Sequence, residues 1–213
     1  MIRPGEQLKN PVTGEVLIFH ETAAETAGEL VRVETIVEPN GFVAAAHVHP
    51  AQTERFDMLE GTVEFRIGRE TIEASAGDQI VVPPGTLHRF RNVSDEEARF
   101  LLEVRPAFKF ESLIETMFTL AAEGKTGKRG LPGPLRLAVI AREHFDTVRL
   151  AFPPVPLQRA ALAVGAPIGR ALGYQPTVER QPARGGSQAE RERRSDRGRP
   201  HGRPAVTSLR KDA

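Results

Sequence analysis

The chain is 213 residues long, 39% hydrophobic and 27% charged, with 29 Lys/Arg against 28 Asp/Glu and no cysteine. That length holds one domain with an appendage or two small ones, and the missing thiols exclude disulfides and thiolate metal sites, leaving imidazole and carboxylate as metal ligands. Charge is unevenly spread: from Thr177 onward ten Lys/Arg face five Asp/Glu, so a basic tail of net +5 offsets a body of net −4.

The N-terminal run MIRPGEQLKNPVTGE lacks the apolar core of a signal peptide, which sets the expected location as cytoplasmic. No stretch approaches the roughly 20 apolar residues of a membrane span. Residues from about 14 to 105 read as strands. Val63, Phe65 and Ile67 alternate with Thr62, Glu64 and Arg66, the period of a sheet with one buried face. Turn signals recur at Pro39-Asn40-Gly41, Glu60-Gly61, Gly68, Ala76-Gly77-Asp78 and Pro83-Pro84-Gly85. Short strands at such spacing favour a β-sandwich or barrel over a parallel βαβ sheet. Within Pro84-Gly85 the proline presets φ and the glycine accepts φ > 0, so a type II turn is expected to deliver His88 onto the next strand.

The period then changes. Phe110, Leu113, Ile114, Met117, Phe118 and Ala121 fall on one helical face, with an end near Gly124. A Gly/Pro-rich loop runs from Lys125 to Pro134, and a second helix is expected over 135–144. These helices should cover an open end or outer face of the strand domain, with Phe110, Met117 and Phe118 as core; a lid over a pocket is the alternative. The segment 155–174 is apolar nearly all round and carries Pro167, which should kink or end a helix there. Packing on the strand domain is the favoured reading of this segment, ahead of peripheral membrane contact or a dimer interface. From Pro176 on, the Arg/Gly/Pro/Ser-rich stretch has too few apolar residues to offset ordering entropy and reads as disordered. It holds no aromatic residue to stack on bases, and Glu190, Glu192 and Asp196 interrupt its arginines, so specific nucleic-acid recognition is not expected.

The most specific feature is the group His47, His49, Glu54 and His88. His47 and His49 are two apart, so on a strand both imidazoles leave the same face. By the same parity Phe56 and Met58 share the face of Glu54, and Phe90 and Asn92 that of His88. The expected interior therefore combines three imidazoles and a carboxylate with a substrate pocket of Phe56, Met58 and Phe90. Three histidines and a glutamate suit one divalent transition metal, Fe, Mn, Ni, Co, Zn or Cu, and donor softness does not choose among them. Burying these groups without a metal would leave polar atoms unpaired at a cost of several kcal/mol each. Arg55, Arg89 and Arg91 have outward parity, whereas Arg32 could point either way. An apolar lining suits a larger, aromatic or apolar substrate better than a small dianion.

Two stretches carry a family resemblance. Gly41 to Gly61 fits G-x5-H-x-H-x4-E-x6-G, and Gly77 to Asn92 fits G-x5-P-x-G-x2-H-x3-N, with 15 residues (Thr62 to Ala76) between them. Together they resemble the paired motifs of the cupin superfamily, here in a single-domain chain. The resemblance implies a mainly β fold, a double-stranded β-helix (jelly-roll) barrel, here followed by C-terminal α-helices and the disordered tail. The corresponding division is 1–107 barrel, 108–175 helical extension packed on it and 176–213 tail. It also implies that His47, His49, Glu54 and His88 ligate the metal, and it permits a barrel-to-barrel homodimer. A metal-dependent oxygenase acting on a small-molecule substrate, with Glu54 as ligand and catalytic base, is the leading expectation. The alternatives are a non-catalytic small-molecule-binding or regulatory module, or a metal-dependent isomerase.

Overall fold

The computed structural model describes residues 2–180; the remainder of the expected disordered tail lies outside the described residues. Strands β1 (Gln7–Asn10), β2 (Glu15–Glu21) and β3 (Val31–Val37) lead into the short β4 (His47–Val48). Then follow β5 (Thr53–Glu60), β6 (Thr62–Ile67), β7 (Glu70–Ser75), β8 (Gln79–Val82), β9 (His88–Asn92) and β10 (Ala98–Arg105). Helix α1 (Phe110–Ala122), helix α2 (Pro134–Glu143), strand β11 (Arg149–Leu150) and helix α3 (Val155–Ala171) complete the order.

The strands form two sheets, β1-β2-β3-β10-β5-β8 and β11-β4-β9-β6-β7, with antiparallel pairing throughout. This is the jelly-roll architecture that the family resemblance implied, within the sandwich-or-barrel class read from the alternation. In β3 the odd residues Val31, Val33, Thr35 and Val37 are buried, so Arg32 points away from the interior and pairs with Glu21 and Glu103, each at 2.8 Å. Gly61 shows why the motif glycine is needed. Its φ is +71°, and a Cβ there would lie 2.7 Å from the Glu97 carbonyl oxygen, so both backbone sterics and packing require its absence.

Between the sheets the phenylalanines pack on one another. Phe56 meets Phe65 at 5.0 Å and Phe100 at 5.4 Å between ring centroids, and Phe90 meets Phe100 at 5.3 Å, all edge to face. Such contacts add roughly 0.5–1.5 kcal/mol per pair to the burial of the rings. Asn92 closes one end of this core. Its amide donates to the carbonyls of Val37 (3.0 Å) and Glu96 (2.7 Å), and its Oδ1 accepts from Ser94. A buried side chain so fully satisfied is a structural clamp.

Helices α1 and α2 begin and end within a residue or two of the sequence reading, and both bury an apolar stripe. Helix α3 continues through Pro167 for four more residues, to Ala171. It departs from the sequence reading in its packing partner. Its packing partner is α2 and not the strand domain: a Cβ on Gly165 would touch Ala138 at 3.1 Å, and one on Gly169 would sit 2.6 Å from the Leu135 carbonyl oxygen and from Val139 Cγ2. Glycines at i and i+4 thus let the two helices approach closely. Along α3 and at its C-cap, Leu157, Val164, Ile168 and Leu172 are exposed. Among the described residues no helix is long and apolar enough to cross a membrane. Beyond α3, residues 177–180 reach back to α1 and β1. The Val178 amide donates to Thr116 Oγ1 (3.0 Å), and the Arg180 guanidinium donates to the Gln7 carbonyl (3.0 Å).

Candidate metal centre

The four motif residues converge from both sheets. His47 on β4 lies directly across from His88 on β9 in antiparallel register. Glu54 stands near the start of β5 in the other sheet, flanked by Val104 and Val82. His49 follows β4, and its carbonyl accepts the amide of Gly85 at 2.8 Å. That bond ties it to the Pro83–Thr86 turn, where Gly85 has φ +76° and the Thr86 amide donates to the Pro83 carbonyl. The turn expected from Pro84-Gly85 is therefore present, and it sets His88 beside His49. The imidazole centroids lie 4.9 Å (His47–His49), 4.3 Å (His47–His88) and 5.6 Å (His49–His88) apart.

Hydrogen bonds orient each ring. The Nδ1 of His47 meets the Ala45 carbonyl (2.9 Å), that of His88 the Thr86 carbonyl (3.0 Å), and that of His49 the Thr147 carbonyl (2.8 Å) and Gln52 Oε1 (3.0 Å). A carbonyl oxygen can only accept, so each Nδ1 carries the hydrogen and each neutral ring keeps its lone pair on Nε2. These lone pairs face Glu54: His88 Nε2 is 2.6 Å from Oε2, and His49 Nε2 is 3.3 Å from Oε1. Despite this closeness, His49 Nε2, His88 Nε2 and Glu54 Oε2 make no well-directed hydrogen bond. Three buried donors and the half-buried His47, with one ligand atom from each lying within 4.8 Å of all the others, could hold a metal ion.

Electrostatics fit the same picture. Burial, then the charges of His88 and His49, hold the pKa of His47 down to about 3, which keeps it a neutral donor. Burial alone would raise Glu54, but His49, His88 and His47 outweigh it and bring its pKa to about 2. Burial also opposes the charged form of His88, and there the adjoining Glu54 carboxylate overcomes it and raises the pKa. The carboxylate that draws a proton toward His88 would draw a cation to the same point.

Gln52 was not singled out by the sequence, although it lies inside the first motif. Its amide donates to the carbonyls of Pro106 (2.8 Å) and Ala107 (3.1 Å), which fixes its oxygen toward His49. Thr147 acts through its backbone and left no mark in the sequence.

Beside the histidines lies a cavity of about 570 Å³. Its walls are the segment 43–49, α1, α2, Phe145, Val148, β11 and α3, so the helical extension lines the space beside His47 and His49. Phe56, Met58 and Phe90 are not in this wall. They point inward as parity required, but the interior is filled there by the aromatic core, and the open space lies instead between the barrel and the helices. Arg149, overlooked in the sequence, is a cation of the lining; its Nε donates to the Phe145 carbonyl (3.0 Å) and its guanidinium lies 4.5 Å above the Phe145 ring. Away from the centre, His20 is exposed and pairs with Glu34 at 3.0 Å.

Residues 33–104 match the cupin domain family (Cupin_2), and with the jelly-roll architecture this identifies the chain as carrying a cupin domain. It is 38% identical over 60 residues to the polyketide synthase CurC of Streptomyces cyaneus, a match spanning 28% of this chain and 39% of that protein. Among solved structures it is similar to a predicted oxalate decarboxylase of Thermotoga maritima (18% identity, 48% of this chain and 92% of that one, TM-score 0.44). It is also similar to a cupin sugar phosphate isomerase of Silicibacter pomeroyi (21% identity, 49% and 67%, TM-score 0.40).

Proposed function

We propose that this protein is a metal-dependent enzyme of the oxygenase type, acting on an apolar small molecule held between the barrel and the helical extension. The observation that carries the reading is that His47 and His49 belong at once to the four-donor cluster and to the wall of the cavity. A molecule in that space would lie against the centre without having to enter the packed barrel core. In this reading His47, His49, Glu54 and His88 hold one divalent transition metal. That ion, when bound, supplies a Lewis acid with open positions for a ligand.

The chain's own groups do the rest. Three Nδ1–H bonds to carbonyls fix the ring tautomers, and Gln52 keeps His49 from rotating. Apolar side chains of the three helices line the cavity and give it a largely non-polar wall. Glu54, with so low a proton affinity, serves better as a ligand than as a general base.

The test begins with metal content of untagged protein beside the His47→Ala/His49→Ala variant. Roughly one equivalent in the former and little in the latter is expected; equal metal in both would sink the assignment. Oxygen uptake by the iron-loaded protein is then followed against flavonols, catechols and diketones. Stabilisation by such a compound without oxygen consumption would favour the binding-module reading.

A further inference from the structure

The cavity wall is apolar over most of its extent, which makes its polar members informative. Apart from His47, His49, Arg149 and Gln158, the polar lining side chains are Asn10 and Glu15. Gln158 is occupied, donating to the carbonyls of Leu150 (2.9 Å) and Pro153 (2.6 Å). Arg149 is held by Phe145 and stands 3.6 Å from Asp146. Asn10 and Glu15 are direct cross-strand partners at the end of the β1–β2 hairpin, so their side chains share one face. Asn10 Oδ1 is used by the amides of Val12 (3.1 Å) and Thr13 (3.2 Å). Glu15 is different. It is 7% exposed, it lines the cavity, and among the described residues its carboxyl makes no directed hydrogen bond or ion pair, although the Thr13 hydroxyl lies near it.

A buried carboxyl left without a partner costs stability, and such a group commonly marks a site where something binds. From this geometry we infer that Glu15, beside Asn10, is a second recognition point of the cavity, which takes the hydroxyl or carbonyl of a neutral, otherwise apolar molecule. Burial pushes the Glu15 pKa up to about 8, so near neutral pH the group is mostly a carboxylic acid. An un-ionised acid both donates and accepts a hydrogen bond, the complement of a hydroxyl or ketone, and offers a cation no charge to pair with. The substrate class narrows accordingly. It is a neutral molecule of aromatic or aliphatic body, contacting the histidines with one part and Glu15 with an oxygen on another.

This inference rests on the substrate-binding part of the proposed function but not on the metal, so the two can fail separately. The probes are biphenyl, 4-hydroxybiphenyl and biphenyl-4-carboxylate, with binding to the full chain measured by equilibrium dialysis near pH 6.5. The hydroxyl should improve affinity over biphenyl by about tenfold, the scale of one well-made buried hydrogen bond, and the carboxylate should bind more weakly than the phenol. Glu15→Met should erase the hydroxyl preference, and Glu15→Gln, which retains a donor and an acceptor, should keep part of it. Leu162→Trp, which fills the cavity from α3, should weaken the binding of 4-hydroxybiphenyl. Equal affinity for biphenyl and its phenol, a preference that survives Glu15→Met, or strongest binding of the carboxylate would each overturn the inference. Metal content of the wild-type protein, measured on the same samples, reports independently on the four-ligand site.

Discussion

Replacing Glu15 by glutamine gives a pH-dependent stability change whose size follows from the burial of one carboxyl. In the folded chain its pKa stands at about 8, against the ordinary 4.5, with desolvation as the main cause and the Thr13 hydroxyl opposing it. A raised carboxyl pKa means that the folded state binds the proton more tightly than the unfolded state. Its contribution is therefore fully present below pH 4.5 and is lost as pH rises through 8. Linkage puts the ionisation penalty at about 1.5 kcal/mol at pH 5.5 and about 4.5 kcal/mol at pH 9. Glutamine has the same shape and no such titration. The margin by which Glu15→Gln exceeds wild type should thus widen by about 3 kcal/mol between those pH values, or roughly 6–12 °C in Tm for a domain of this size. Because both proteins share every other titrating group, the difference isolates Glu15. Urea unfolding at several pH values measures it, and two curves that stay parallel across the range would refute the argument.

Three further outcomes are expected. Gln52→Leu removes the group that holds His49 by Oε1 at 3.0 Å and should weaken metal binding about 10–100-fold, read by competition with a chromophoric chelator. Gly169→Ala places a methyl 2.6 Å from both the Leu135 carbonyl and Val139 Cγ2, so the α2–α3 contact should be destabilised by about 1–3 kcal/mol, seen as faster amide exchange in both helices. Phe56→Ala should cost about 3–5 kcal/mol in chemical unfolding, because Phe56 touches Phe65, Phe90 and Phe100 in a closed core; a loss under 1 kcal/mol would mean that the residue faces open space after all.

The strands and the centre were legible in the sequence because they depend on local rules. Alternation at Val63, Phe65 and Ile67 specified faces, Pro84-Gly85 specified a turn, and two-residue spacing put His47 and His49 on one side. What parity could not supply was depth along the barrel. It turned Phe56, Met58 and Phe90 inward correctly, yet whether an inward ring meets other rings or empty space depends on contacts from distant strands, and here Phe65 and Phe100 fill the space. The cavity was hidden for the same reason. Its walls join residues 43–49 to helices about 60 to 120 positions later, and no short-range pattern records that meeting. The partner of helix α3 was misjudged because Gly165 and Gly169, which let α3 approach α2, were not read as a contact surface.

The pairing of β11 with β4 has a consequence for how the molecule opens. Leu150 lies opposite His47, Arg149 opposite Val48, and the Thr147 carbonyl accepts from His49. Two histidines of the centre are therefore braced by the same four-residue stretch that begins the outer wall of the cavity. If that stretch peels away, His49 loses an orienting bond and the cavity loses a side in one event. By reciprocity, whatever steadies the centre also steadies the wall, and to the same free-energy extent. Access to the cavity and grip on the centre thus share residues 147–150 as a common support.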